Sequence, residues 1–491
     1  MATGTAPVRG YGRERDSGSG DTGVMAKKAL LFLIPVVVGL IIWLIPAPAG
    51  VKPEAWHMLA IFVATIVGII CKPLPMGAVA LIGMAATVLT GVQPVADALS
   101  GFSNTTIWLI VLAFFIARGF IKTGLGERIA YLFVALLGKR TLGLSYGLIA
   151  TDLILAPAIP SNTARSGGVV YPIMKAVSQA YGSEPQDGTA RKLGSFLTTA
   201  VFQGTVITSA MFLTAMAANP LAAKMAADLK VHISWGQWAL AAIVPGLVSL
   251  IVIPFVLYKV YPPEVKETPN ATQFAKEKLA EMGSMSRNEW LMLGTFVLLL
   301  VLWIFGDRLN MDATTAALIG LCILLVASVL TWGDVRKEEG AWDTLVWFAA
   351  LVMMATALNK LGLITWFSNY AAGAVGGMNW VLAFGILALV YFYSHYLFAS
   401  QTAHVSAMYA GFLAASIAVG TPGLLAALVL GFVSNLFGSM THYGAGPAPV
   451  LFGSGYVDVG TWWKLGLMAS IINIVIWGVV GGVWWKVLGL Y

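Results

Sequence analysis

The sequence predicts an all-α integral membrane protein: eleven transmembrane helices plus two re-entrant helical hairpins, arranged as an inverted repeat. Three observations carry this reading. Of 491 residues, 58% are hydrophobic and only 10% charged, whereas soluble domains carry about 25% charged residues. Uncharged apolar runs such as 29–51 reach the roughly 20 residues that a helix needs to span a bilayer. Landmarks also recur at a near-constant spacing. Leu81-Ile82-Gly83 returns as Leu318-Ile319-Gly320, offset by 237. Thr106, Ala117, Lys122 and Gly124 return as Thr344, Ala355, Lys360 and Gly362, offset by 238. Ser161-x-Thr163-Ala164 returns as Ser400-x-Thr402-Ala403, offset by 239.

In chain order, residues 1–28 are polar and rich in Gly, Ser and Arg, and read as a disordered cytoplasmic tail. The first transmembrane helix falls in 29–54. An N-terminal repeat over 55–260 holds crossings near 55–71, 77–92, 105–122, 192–222 and 236–260. Between the third and fourth of these lies 142–180, apolar but with a polar, helix-breaking tip, Pro160-Ser161-Asn162-Thr163. The polar stretch 261–288 is a cytoplasmic linker. A C-terminal repeat over 289–491 holds crossings near 289–306, 313–331, 343–360, 422–453 and 462–487. Its counterpart of the first hairpin is 380–420, with the tip Ser400-Gln401-Thr402. Non-helical backbone at such depth survives only where protein or a wet cavity satisfies it. The apolar stretches 124–139 and 362–376 have helical period and read as interfacial helices, with plain loops as the alternative.

Orientation follows from the basic residues. With the N-terminus inside and the C-terminus outside, the cytoplasmic side holds 21 of the 29 Lys and Arg, the outer side six, and Arg118 and Arg165 lie within membrane segments. The formal charge of +7 is thereby explained by interior loops, with no nucleic-acid partner needed. An odd number of crossings separates each landmark from its copy, so the second half is inverted: Lys122 ends its helix inside and Lys360 outside. The bilayer is the expected solvent, and a cell inner membrane the expected location.

Inverted repeats place a ligand near the midplane, where broken helices point their ends at it. In Ser161-Asn162-Thr163-Ala164-Arg165, hydroxyls and an amide gather at a helix start, and free backbone N–H groups complete an anion site. Ser400-Gln401-Thr402-Ala403-His404 offers the same inventory from the other half. Two facing tips match a ligand with two carboxylates; the plain alternative is that each Ser caps only its own helix. Arg165 and His404 stand at equivalent places, four residues beyond Ser161 and Ser400. An intramembrane arginine costs roughly 2.5–3.5 kcal/mol on insertion scales and needs a partner. Its fork fits a carboxylate ligand; the alternative partner is Asp152 in the preceding arm. His395 has no such mirror and reads as a packing or hydrogen-bonding residue. Each half also carries an interrupted helix, at 214–220 and at 440–449, and Gly444 and Gly446 in the second allow close backbone approach. The role of His442 in that second break stays open.

No P-loop, dinucleotide fingerprint or metal-ligand motif occurs, so neither a cofactor nor a metal is expected, and no enzyme. Cys71 and Cys322 are far apart and show no metal spacing.

Together these residues resemble the divalent anion–sodium symporter family, and more narrowly its citrate/succinate and 2-oxoglutarate/malate translocator branch. The resemblance runs from about residue 29 to the end. It is carried by the Ser-Asn-Thr tip, its Ser-x-Thr mirror, and Thr441-His-Tyr-Gly-Ala-Gly-Pro-Ala-Pro-Val-Leu-Phe-Gly-Ser-Gly-Tyr456. It implies a homodimer, an elevator-type mechanism, and carboxylate contacts at Ser161, Asn162, Thr163, Ser400 and Thr402. Sodium-coupled members repeat Ser-Asn-Thr in both tips and lack Arg165 and His404; this chain has Gln401 in the second tip. A dianion in a buried site needs compensating charge. Arg165, with His404 when protonated, is expected to supply it here in place of sodium. Such fixed charge disfavours crossing empty. The expectation is therefore sodium-independent exchange of di- or tricarboxylates such as 2-oxoglutarate, malate, succinate, citrate or tartrate, with sodium symport as the alternative.

Overall fold

The computed structural model describes residues 19–185, 187–374, 377–398 and 400–491. Among these the protein is helical throughout, the only β pairing being an isolated bridge between Arg140 and Glu267. Residues 1–18 of the expected tail lie outside the described residues, and helix α1 (Ser19–Leu44) already begins inside the segment read as tail. Helices α2 (Pro53–Cys71) and α3 (Met76–Leu89) follow as an antiparallel pair. Helix α4 (Thr105–Thr123) opens on Asn104, whose side chain accepts the N–H groups of Thr106 and Ile107, and closes on Gly124 with φ 78°.

The two stretches that sequence left between loop and interfacial helix are helical, as α5 (Leu125–Leu137) and, in the second half, Leu363–Ala374. Helix α5 is held from below. Arg128 donates to Glu289 at 2.5 Å and to the Gly283 carbonyl at 2.9 Å, so the guanidinium ties it to the linker. The first hairpin consists of α6 (Thr141–Leu155) and α7 (162–180), the latter with one wide turn at Ser166–Val170. Then come α8 (Gly194–Met211), α9 (Ala218–Asp228) and α10 (Trp235–Val260). The polar linker folds in part, as α11 (Pro269–Met282), with Phe274 edge-on to Tyr131 of α5.

In the second half, α12 (Arg287–Ile304) starts with a capping box built by Ser286 and Glu289. Helix α13 (Ala313–Val326) has 14 residues, as has α3, its repeat partner. After α14 (Glu339–Lys360) and α15 (Leu363–Ala374), the second hairpin pairs α16 (Trp380–Ser394) with α17 (Gln401–Ala418). Helices α18 (Gly423–Leu436) and α19 (Ala448–Gly453) flank the second break, and α20 (459–487) closes the chain.

Seven helices among the described residues are long and apolar enough to cross a membrane, with five shorter apolar ones beside them. The expected eleven crossings are therefore not eleven long helices. At 1.5 Å per residue, α3 and α13 reach about 21 Å, short of a hydrocarbon core of about 30 Å. The crossings expected at 192–222 and 422–453 are each split in two by their breaks.

Burial grades the helices by role. All 18 residues of α8 are buried, whereas α1 shows Leu33, Val36, Leu40 and Leu44 on its outer face, as a lipid-facing helix does. Helix α8 packs against α6, α10 and α18, and thereby joins both halves. Its hydroxyls and amide, Thr198, Thr199, Gln203, Thr205, Thr208 and Ser209, are buried with it. Buried polar groups need partners, and those partners build the site.

Candidate functional site

Each hairpin turns at a serine. Ser161 and Ser400 hold extended backbone, and their Oγ atoms accept the N–H groups of Ala164 at 3.1 Å and Ala403 at 3.3 Å. The capping that sequence offered as the plain alternative is therefore present in both tips. It does not exhaust them, since Ser161, Thr163, Ser400 and Thr402 all stay half-exposed beside the newly started helices α7 and α17.

The tips meet. Asn162 Nδ2 lies 3.5 Å from Gln401 Oε1, joining residues that are each other's repeat copies. From there an amide relay runs through the core. Gln401 Nε2 donates to the carbonyls of Asn435 at 3.1 Å and Ser434 at 3.4 Å, where α18 ends. Asn435 Nδ2 donates to Asn219 Oδ1 at 2.7 Å, and Asn219 Nδ2 to the Ser209 carbonyl at 2.8 Å. Arg165 Nη2 donates to Ser209 Oγ at 3.1 Å and returns the circuit to the first tip. Both hairpins and both breaks thus belong to one hydrogen-bonded body. Gln203 adds a second crossing, donating to the Ser439 carbonyl at 2.9 Å.

Arg165 is 0% exposed. Its Nε lies 3.2 Å from Asp152 Oδ1, and its Nη1 donates to the carbonyls of Ile159 at 2.6 Å and Ala215 at 2.5 Å. Asp152 Oδ2 accepts hydroxyls from Thr205, at 2.9 Å, and Thr208. Sequence had set a carboxylate ligand against Asp152 as the arginine's partner; in this structure Asp152 has it, and the pair is electrically neutral. The Ala215 carbonyl belongs to the first break, so the guanidinium also satisfies backbone that the break leaves open.

His404 is likewise 0% exposed. Its Nε2 lies 3.0 Å from Ser394 Oγ, and Tyr391, Phe437 and Phe398 box its ring at 4.6, 4.7 and 4.8 Å. Four residues of helix carry a side chain past the tip, so the two sequence-equivalent basic groups sit behind the tips rather than on them. The spatial counterpart of Arg165 is His395. Its Nε2 lies 2.6 Å from the Gly444 carbonyl, in the second break, as Arg165 lies on Ala215 in the first.

Gly446 earns its place by contact: a Cβ there would come within 2.4 Å of Thr163 Oγ1 and 3.2 Å of Asn162 Oδ1. The second break therefore presses backbone directly on the first tip. At Gly444 a Cβ would meet Thr441 Oγ1 at 2.7 Å. His442 accepts from Trp463 Nε1 at 3.1 Å and lies over Phe452, on the flank of the break. Asn219, Asn435 and Gln203 were not singled out as site residues from sequence. The available signal was an amide within an apolar helix, which lipid does not tolerate without a partner.

Three comparisons bear on this arrangement. The model of the sodium:sulfate symporter transmembrane region matches residues 26–491. The chain is 61% identical over 479 residues to YflS of Bacillus subtilis, covering 97% of this chain and 99% of that protein. It is 56% identical over 462 residues to the chloroplastic dicarboxylate transporter 1 of Arabidopsis thaliana, covering 94% and 83%. Among solved structures, the YdaH transporter of Alcanivorax borkumensis aligns with a TM-score of 0.50 at 14% identity, over 96% of this chain and 99% of that one. At that identity the likeness concerns the fold alone.

Proposed function

The chain belongs to the sodium:sulfate symporter family, and from that premise we propose that it exchanges one dicarboxylate for another across the membrane, without sodium. The two facing tips supply the substrate class. Each offers a helix N-terminus, a capping serine and a half-exposed threonine, a set that suits one carboxylate each. The Arabidopsis relative is a dicarboxylate transporter, which supports the same class.

One observation carries the sodium-independent reading. Backbone carbonyls freed at helix breaks are what ion-coupled carriers use to hold a cation. Here side-chain nitrogens lie on those carbonyls in both halves: Arg165 on Ala215, Gln401 on Ser434 and Asn435, His395 on Gly444. With no cation to carry and no nucleotide motif, the remaining drive is the gradient of another carboxylate. The argument from fixed charge does not survive in its first form. The Arg165–Asp152 pair is neutral, so exchange rests on the occupied carbonyls and not on a charged empty site.

The mechanism follows as part of the proposal. The circuit from Asn162 to Arg165 makes the hairpins, breaks and α8 one rigid body that moves as an elevator against α2–α4 and α12–α14. Eleven crossings with the N-terminus inside, two copies per assembly and a bacterial plasma membrane complete the reading. A sodium-coupled alternative keeps one observation in its favour: Asn435 Oδ1, Ser439 Oγ and Thr441 Oγ1, around the second break, are buried oxygens without a hydrogen bond. Counterflow in proteoliposomes separates the two. Malate-loaded vesicles in sodium-free buffer should release malate only when external dicarboxylate is present; release that needs sodium instead would establish symport.

A further inference from the structure

We propose that His395 is a proton-binding site, and that its proton is taken up together with the carboxylate substrate. This deepens the exchange reading and rests on it. The starting point is a charge inventory. Between Lys360 and Asp458 the sequence holds no Asp, Glu, Lys or Arg; apart from tyrosines its ionisable groups are His395, His404 and His442. The whole second hairpin, its tip and the second break lie in that stretch. On the first side the buried Arg165 is spent on Asp152. A substrate with two negative charges therefore meets a site with no net positive charge, and burying unpaired charge is expensive.

His395 is built to accept the missing charge. Its Nε2 lies 2.6 Å from the Gly444 carbonyl. A carbonyl only accepts, so Nε2 carries hydrogen. Nδ1 is buried and has no hydrogen-bond partner, so in the neutral ring it presents a bare lone pair, the vacant place for one proton. The ring is 0% exposed and stacks on Phe437 at 3.8 Å. The titratable groups around it are His404 from α17, at 5.4 Å, and Tyr396 from its own arm, at 5.9 Å. Tyr443, from the second break, donates to the Tyr396 carbonyl, and Tyr391 stacks behind His404. No carboxylate is among them. An imidazolium at this position has no resident counter-ion, and the anion that can serve is the substrate.

Position favours His395 over His404. His395 follows the C-terminal end of α16, where the helix dipole favours a cation, whereas His404 lies in the first turn of α17, where it opposes one. His395 also touches the second break, two residues from Gly446, which abuts Thr163 of the first tip. Proton and dicarboxylate then strengthen each other's binding by the same factor, as linkage requires.

The test measures proton uptake on malate binding to the full-length purified protein, by calorimetry in buffers of differing ionisation enthalpy, above about pH 7, where His is the side chain that titrates. Wild type should take up close to one proton per malate, and its affinity should fall about tenfold per pH unit. His395→Gln should still bind malate, more weakly, with uptake and pH dependence both lost; His404→Gln should keep both. Wild-type binding with no proton uptake at any pH would overturn the proposal while leaving the exchange reading intact, and needs no variant. Uptake unchanged in a folded His395→Gln or His395→Asn would also overturn it. Failure of malate, succinate and 2-oxoglutarate alike to bind would overturn the dicarboxylate reading itself.

Discussion

Arg165 shows how a single residue's role is decided by what surrounds it. Removing the guanidinium leaves Asp152 buried and charged among Thr205, Thr208 and hydrocarbon. Breaking a buried pair in this way costs about 3–5 kcal/mol. Arg165→Met should therefore lower the melting temperature sharply, and adding Asp152→Leu should recover much of the loss. If Arg165→Met instead melts like wild type but no longer binds dicarboxylate, the guanidinium acts on the substrate. Gly446 gives the opposite signature. A methyl group there lands 2.4 Å from Thr163 Oγ1, closer than any carbon tolerates, so the tip or the break must shift. Gly446→Ala should cut counterflow at least about tenfold with little change in melting, since the contact is local; full-rate counterflow would show that the break does not press on the tip.

At the scale of elements, the breaks are held by side chains rather than left as flexible joints. Thr214 donates to the Pro157 carbonyl at 2.6 Å and receives Trp235 Nε1 at 3.0 Å, fixing the first break between a hairpin tip and α10. Gln401 fixes the end of α18 in the second. Its reach matters, since asparagine is one methylene shorter. Gln401→Asn should release the Ser434 and Asn435 carbonyls, slow exchange, and make uptake respond to sodium. Uptake in that variant that remains fast and indifferent to sodium would remove the occupied carbonyls as the reason for sodium independence. These contacts also explain the partial legibility of the elements. Period and Gly/Pro content marked the two breaks and both hairpins, but no local pattern specifies that α5 is clamped through Arg128 to Glu289, 161 positions away.

For the whole molecule, an elevator requires one body to slide on another, and the model supplies a contact on which to test it. Asp228, at the end of α9, accepts Thr356 Oγ1 at 3.0 Å from α14, and its carbonyl accepts Asn359 Nδ2 at 3.2 Å. Cysteines at Asp228 and Thr356, with Cys71 and Cys322 replaced by serine, should form a disulfide that stops counterflow and releases it on reduction. Exchange at full rate in the cross-linked protein would exclude sliding at this contact. What the sequence determined by itself was everything that follows from period and composition: helices in lipid, their doubling, the inversion implied by an odd number of crossings, and the two polar tips. These are local or statistical properties, and the bilayer makes them legible because it admits few kinds of backbone. What only the tertiary structure decided was pairing. The repeat made His404 the mirror of Arg165, yet space makes His395 its counterpart, because burial forces each basic side chain onto whichever acceptors packing brings near. The same packing gave Arg165 to Asp152. Such choices lie between segments far apart in the chain, where no spacing records them.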